Sequence, residues 1–203
     1  MGNDRSRVKH YPHLAVAAKS GQVAEFSRLL QQGVLVRRRV GCSVEAFLRE
    51  ELHVTDAAVE RIQSIMLDGK PVDDIGTAVV HDGAVLALSA AMPGLVGATL
   101  RRGGAYSSLR GGITYHETMA ACAPAEGWVK VKIFNLLMDE MGPPLLREGV
   151  CLDAKEIVAF SAEHGSDLRQ ASTATLDGIP VDIAELHRSR VMDGVERIFL
   201  TVA

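Results

Sequence analysis

The residues best suited to chemistry lie in one glycine-rich stretch. Between Gly94 and Gly112 the chain carries six of its nineteen glycines together with Arg101, Arg102 and Arg110. Glycine lets backbone approach a ligand closely, and a guanidinium pairs two-pronged with phosphate or carboxylate. The combination predicts a small-anion site formed by Arg101, Arg102, Gly103, Gly104, Arg110, Gly111 and Gly112. The stretch matches neither G-x-x-x-x-G-K-[ST] nor a G-x-G-x-x-G turn after a strand, so no nucleotide is implied. Its other reading is a plain connection between folded units.

Other reactive residue types do not converge. Cys42 and Cys151 hold equivalent places just before two predicted helices, where a thiol can become reactive, though a small buried hydrophobe fits the repetition better. Cys122 stands in an Ala/Pro-rich segment without a partner motif. His10 and His13 could share a helix face, but Pro12 between them argues against a helix. No zinc spacing appears among the seven histidines, and no serine sits in a G-x-S-x-G elbow. Asp73-Asp74 and Asp139-Glu140 read as solvated turn carboxylates. In Arg37-Arg38-Arg39, strand alternation splits the charge between two faces, which weakens it as a nucleic-acid patch. The expectation is a protein without catalytic residues, metal or cofactor.

Composition sets the frame. A net charge of −3 gives no global attraction to nucleic acid or an anionic membrane. With aromatics at 4%, the core must be mostly aliphatic. The low-charge run from Thr77 to Leu100 holds His81 and Asp82 and is cut by Gly83, Pro93 and Gly94, so it does not read as a membrane span. Three cysteines and no visible signal peptide point to a reducing cytoplasm.

The elements that must position these residues come twice. Leu67-Asp68-Gly69-Lys70-Pro71-Val72-Asp73 returns as Leu176-Asp177-Gly178-Ile179-Pro180-Val181-Asp182 with six of seven residues unchanged. Cys42 and Cys151 keep the same offset, and Gly21-Gln22-Val23 can be set beside Gly127-Trp128-Val129. A repeat of this kind decides the fold before local structure does. In the second copy, residues 129–134 alternate as a strand should, Met141-Gly142-Pro143-Pro144 reads as a turn, and residues 145–150 return as a strand. Asp153 then caps a helix over 154–164 that Gly165 closes. Strands follow at 172–176 and 196–203. The first copy repeats this with strands at 34–40, 62–67 and 85–90 and a helix over 44–52 capped by Ser43. Residues 21–30 suit a helix as well as a strand, since Val23, Phe26, Leu29 and Leu30 are helically spaced. Alignment with 129–134 favours the strand.

This order and its turns resemble the β-grasp, or ubiquitin-like, fold, and in particular the small sulfur-carrier proteins of molybdopterin and thiamine synthesis. The likeness rests on Ile65-Met66-Leu67-Asp68-Gly69-Lys70-Pro71-Val72 and His81-Asp82-Gly83-Ala84-Val85-Leu86-Ala87-Leu88. It implies an α+β fold of two tandem β-grasp domains from an internal duplication, at 21–94 and 127–203. An extension at 1–20 and a Gly/Arg-bearing connection at 95–126 lie outside them. A carrier of that family ends in a free Gly-Gly, whereas this chain ends Phe199-Leu200-Thr201-Val202-Ala203. The expectation is therefore a noncatalytic protein-binding or scaffold module with a protein partner, associated with sulfur transfer or cofactor assembly. Alternatives are a carrier exposed by cleavage after Gly112 in Leu109-Arg110-Gly111-Gly112, and a small anionic ligand-binding protein.

Overall fold

A computed structural model describes residues 11–19, 22–106, 110, 112–115 and 124–203. The fold is mixed α+β, built on one large mixed sheet. In chain order, β1 (His13–Ala18) leads to two short helices, α1 (Val23–Phe26) and α2 (Leu29–Gln32), and then β2 (Val34–Val40). After β3 (Cys42–Ser43) come α3 (Val44–Ala46), a π-type turn over 47–51, and α4 (Asp56–Arg61). The first half finishes with β4 (Ser64–Leu67), β5 (Lys70–Pro71), β6 (Val79–Val80) and β7 (Val85–Ser89), and α5 (Gly94–Leu100) follows. The second half runs β8 (Ala125–Phe134), α6 (Leu137–Glu148), β9 (Val150–Asp153) and α7 (Ala154–Ala171). It ends with β10 (Ser172–Leu176), β11 (Ile179–Val181) and β12 (Arg197–Val202).

Ten of these strands form one sheet in the order β11-β10-β1-β12-β9-β2-β8-β7-β4-β5, while β3 and β6 pair separately. The sheet runs without a break through segments expected to lie in separate units. β8 lies between β7 and β2, and β1, expected in an extension outside the repeat, lies between β10 and β12. β2 and β9 meet at the centre, with Leu35 opposite Cys151. Along β2, β7, β8 and β12, fully buried residues alternate with partly exposed ones. One face therefore packs on the helices, and the other stays partly open.

Three local expectations are corrected. The stretch 21–30, expected as a strand, instead enters α1 and α2, because Phe26, Leu29 and Leu30 all turn into the core at 3% exposure or less. Helical spacing outweighs the alignment with 129–134. The expected turn at Met141-Gly142-Pro143-Pro144 and strand at 145–150 are instead α6, with Pro143 and Pro144 inside it. The prolines cannot donate to the carbonyls of Asp139 and Glu140, which lie on the exposed side where water can satisfy them. Gly142 serves close packing, since a Cβ there would sit 2.3 Å from Ser27 Oγ. Likewise Gly165 does not end α7. It lies inside the helix, where a Cβ would come 3.0 Å from the Ala184 carbonyl oxygen.

The equivalence missed in the sequence is Leu29-Leu30-Gln31-Gln32-Gly33-Val34 with Leu145-Leu146-Arg147-Glu148-Gly149-Val150. Each ends a helix on a glycine with positive φ (98° at Gly33, 102° at Gly149) and enters a central strand. At each, the absent Cβ makes room for neighbouring side chains: Lys130 and Lys132 over Gly33, and Phe199 over Gly149. The halves thus share the order strand, helix, strand, helix, strand, hairpin, strand, with one helix more than the sequence suggested.

Candidate functional site

The repeated seven-residue phrase forms the two outermost hairpins, one at each end of the sheet. Asp68 and Gly69 (φ 52° and 78°) join β4 to β5, and Asp177 and Gly178 (φ 48° and 82°) join β10 to β11. Positive φ at both central residues is the tight turn that matches strand twist. Each aspartate stitches its hairpin inward. Asp68 Oδ1 accepts from Val85 N at 2.8 Å, and Asp177 Oδ1 accepts from His13 N at 2.8 Å. Pro71 and Pro180 fall on the edge strands, where a missing N–H obstructs pairing with another sheet.

The described anion candidates differ in how far they are committed to protein partners. Arg110 is buried, and all five of its N–H groups have partners. Nε donates to Thr99 O (2.5 Å), and the terminal nitrogens donate to Asp73 Oδ2 (3.1 Å) and Oδ1 (2.6 Å), Thr114 Oγ1 (3.2 Å) and Arg101 O (3.2 Å). It thereby clasps the end of α5 to the first copy of the repeated phrase. Arg101 is exposed, and Arg102 donates its backbone N–H to Gln63 O at 2.7 Å. Gly103 N reaches Asp73 Oδ1 at 3.4 Å, Gly104 N donates to Arg101 O at 3.1 Å, and Gly112 is open to solvent. Gly111, Leu109, Cys122 and His10 lie outside the described residues. The second copy's Asp182 does different work from Asp73, accepting from Ala184 N at the start of a 3-10 turn.

The thiols are held back by their surroundings. Burial pushes Cys151 up to about 11 and raises Cys42 as well, with Glu51 adding to the effect. Ser161 Oγ lies 3.2 Å from His187 Nδ1, but Ser161 is wholly buried within α7 and its Oγ also takes the His187 N–H. This is a packing contact that ties the 3-10 segment to α7. A broad groove of about 870 Å³ between α2 and α7 is lined by Arg28, Lys155, Glu156, Phe160, Glu163 and His164. Burial raises the Glu156 carboxyl there. Among the described residues no group of three or more His, Cys, Asp or Glu is placed to hold a metal, and no helix is long and apolar enough to cross a membrane.

A further cleft lies on the open sheet face. It has a volume of about 270 Å³ and is walled by Met66, Ala87, Met92, Pro93 and Phe134. Register explains it: Ser64 lies opposite Ser89, which lies beside Phe134, and Met66 lies opposite Ala87, so these side chains project from one face. Gly97 lets the chain fold back, since a Cβ there would overlap the Met92 carbonyl. That fold sets Met92 and Pro93 over the cleft. Close in sequence to its lining residues Pro93 and Asn135, Leu95, Val96 and Leu136 are 72%, 62% and 76% exposed. Sequence reading missed this site because its walls come from three strands and the segment 91–93 that follows β7, which no single stretch brings together.

Comparison of the chain with protein-family models, with curated proteins and with solved structures finds no match.

Proposed function

We propose that the chain is a noncatalytic protein-binding module made of two fused, duplicated β-grasp halves. It meets its partner through α5 and the adjoining rim of the open sheet face. The observation that carries this reading is a run of exposed apolar side chains on the segments that wall the cleft: Met92, which lines it, Leu95 and Val96 just after Pro93, and Leu136 next to Asn135. Apolar groups gathered in this way lower their free energy by being covered, and on a folded surface they mark contact sites. The Arg110–Asp73 clasp supports it further, because a helix of seven residues holds its place only through such anchors. Both sheet edges carry proline, which favours a face over strand addition as the mode of contact.

The equal order of elements in the halves, and the repeated Leu-Asp-Gly-x-Pro-Val-Asp hairpins, support duplication of a β-grasp unit. The link to sulfur transfer or cofactor assembly rests on the resemblance of those segments alone. Against the carrier alternative stands Arg110, two residues before Gly112 and fully engaged, which would hold a new terminus close to the body of the protein.

The test is site-specific photocrosslinking in cells. A benzophenone side chain at Leu95 or Val96 is expected to give one discrete adduct, and the same group at Ile179 on the edge none. Leu95→Asp with a crosslinker at Val96 should abolish the adduct, whose mass distinguishes a second copy from another protein. Adducts at Ile179 but none at Leu95 and Val96 would overturn the reading.

A further inference from the structure

The first outer hairpin carries a pH-sensitive device: we propose that His81, held as an imidazolium, latches Asp68 of the β4–β5 turn to the turn after β6, and that loss of its proton releases the hairpin. The inference uses no part of the partner contact, so either can fail alone.

Both ring nitrogens of His81 meet acceptors. Nδ1 lies 2.9 Å from the Asp82 carbonyl oxygen, and Nε2 lies 2.7 Å from Asp68 Oδ2. A carbonyl and an ionised carboxylate can only accept, so each bond needs an N–H on the ring, and only the imidazolium has both. The neutral ring keeps one N–H and turns a lone pair toward the other oxygen. Asp68 faces the ring from the neighbouring turn, and its charge favours the imidazolium further. The Asp82 carboxylate is engaged elsewhere, with Oδ1 accepting from Trp128 N at 2.8 Å.

The latch ties the small sheet to the edge of the large one. His81 follows β6, which pairs with β3, whereas Asp68 closes the outermost hairpin of the ten-stranded sheet. Asp68 is already fixed to β7, its N–H donating to Val85 O at 2.9 Å and its Oδ1 accepting from Val85 N at 2.8 Å, so Oδ2 is the oxygen left for the histidine. From this turn β5 leads to Asp73, where Arg110 anchors α5. The second hairpin supplies the comparison. Asp177 Oδ1 accepts from His13 N, but the His13 ring turns to Thr201, with Nε2 2.9 Å from Oγ1. A hydroxyl donates as readily as it accepts, so that ring needs no second proton. At His81 the folded chain holds the proton more tightly than the unfolded chain does. The latch therefore stabilises fully below the ordinary imidazole value, about 6.5, and its contribution disappears as pH rises through the folded-state value.

The test uses the intact chain with isotope-labelled histidine, followed by NMR between about pH 5 and pH 9. His81 is expected to keep both ring N–H groups to higher pH than a free imidazole, and Asp68→Asn to bring that midpoint down. Asparagine suits the same left-handed turn, and its amide can donate to a neutral ring, so the variant keeps the hairpin. Hydrogen exchange, corrected for the intrinsic effect of pH, reads the release. Protection of the Asp68 and Val72 amides, bonded to Val85 O and Ile65 O, should fall roughly two- to fivefold as His81 loses its proton, the scale of a partly exposed ion pair. The Asp177 amide, bonded to His13 O, should keep its protection, and in Asp68→Asn the fall should disappear. A His81 midpoint at or below the ordinary value, a midpoint that Asp68→Asn leaves unchanged, or protection at Asp68 and Val72 that follows Asp177 across the range would each overturn the proposal.

Discussion

Arg110 carries more of this molecule than its place in a glycine-rich stretch suggested. Its guanidinium neutralises Asp73 and takes the carbonyls of Thr99 and Arg101 at the end of α5, where positive charge is favoured. Arg110→Lys keeps the charge but loses the fork, and Arg110→Ala leaves Asp73 without its partner. The alanine variant should lose about 2–4 kcal/mol in urea unfolding, and hydrogen exchange in α5 should accelerate in both variants. Cys151 gives a second residue-scale prediction. With its thiol pushed up to about 11 by burial, it should resist iodoacetamide in the native protein near neutral pH and react on unfolding, as read by peptide mass. Glu156 gives a third. Burial raises its carboxyl in the folded state, so the folded chain holds that proton more tightly than the unfolded chain does. The charged form therefore costs stability above the folded-state value, and the cost vanishes as pH falls through the ordinary carboxylate range. Glu156→Gln should melt higher than the wild type at neutral pH, with the gap closing toward about pH 4.

Elements are fixed in this fold by where side chains are absent. Gly33 and Gly149 end α2 and α6 in backbone that other residues avoid, and neighbouring side chains lie where a Cβ would be. Gly149→Ala meets Phe199 as well as the unfavourable φ, whereas Gly178→Ala in the β10–β11 turn meets only the φ penalty. Gly178→Ala should cost about 1–2 kcal/mol and Gly149→Ala distinctly more, compared by chemical denaturation midpoints. The outer hairpins follow a different logic. Their aspartate and glycine close the turn, and their proline leaves the edge poorly suited to pairing. Replacing Pro71 and Pro180 together by Thr should produce concentration-dependent association in light scattering.

The whole molecule is closed by an exchange between its halves. Outward from the central β2–β9 pair, β8 and β7 follow on one side and β12 and β1 on the other. By place β7 matches β1, and the hairpin aspartates confirm the match, with Asp68 bonded to Val85 and Asp177 to His13. By chain order, however, both belong to the first half, which β1 opens and β7 closes. The exchange is tolerated because β7 runs parallel to β8, and β1 parallel to β12, so swapping neighbours reverses no strand. Each half thus leans on a strand lodged in the other's neighbourhood. A protease site inserted between Gly112 and Ile113 should give a nicked protein that elutes as one species until denaturant is added. Residues 1–112 and 113–203 made separately should lack cooperative unfolding.

The sequence by itself determined the local punctuation: the Asp-Gly hairpins, the alternation in 34–40 and the Ser43 cap of α3. These depend on backbone preference and near neighbours, which composition and spacing express directly. Residues 21–30 were misread because alignment with 129–134 was set above their helical spacing, and residues 141–148 because Gly142, Pro143 and Pro144 mark a turn in sequence but here lie inside α6, with Gly142 packed on Ser27 and the carbonyls of Asp139 and Glu140 facing water. Only the tertiary structure decided that Arg110 is a clasp, that β1 and β8 complete one sheet, and that Ser64, Met66, Met92 and Phe134 share a cleft. Each of these depends on strand register and chain return across distant segments, where contact is set by which faces bury together and no single stretch carries the signal.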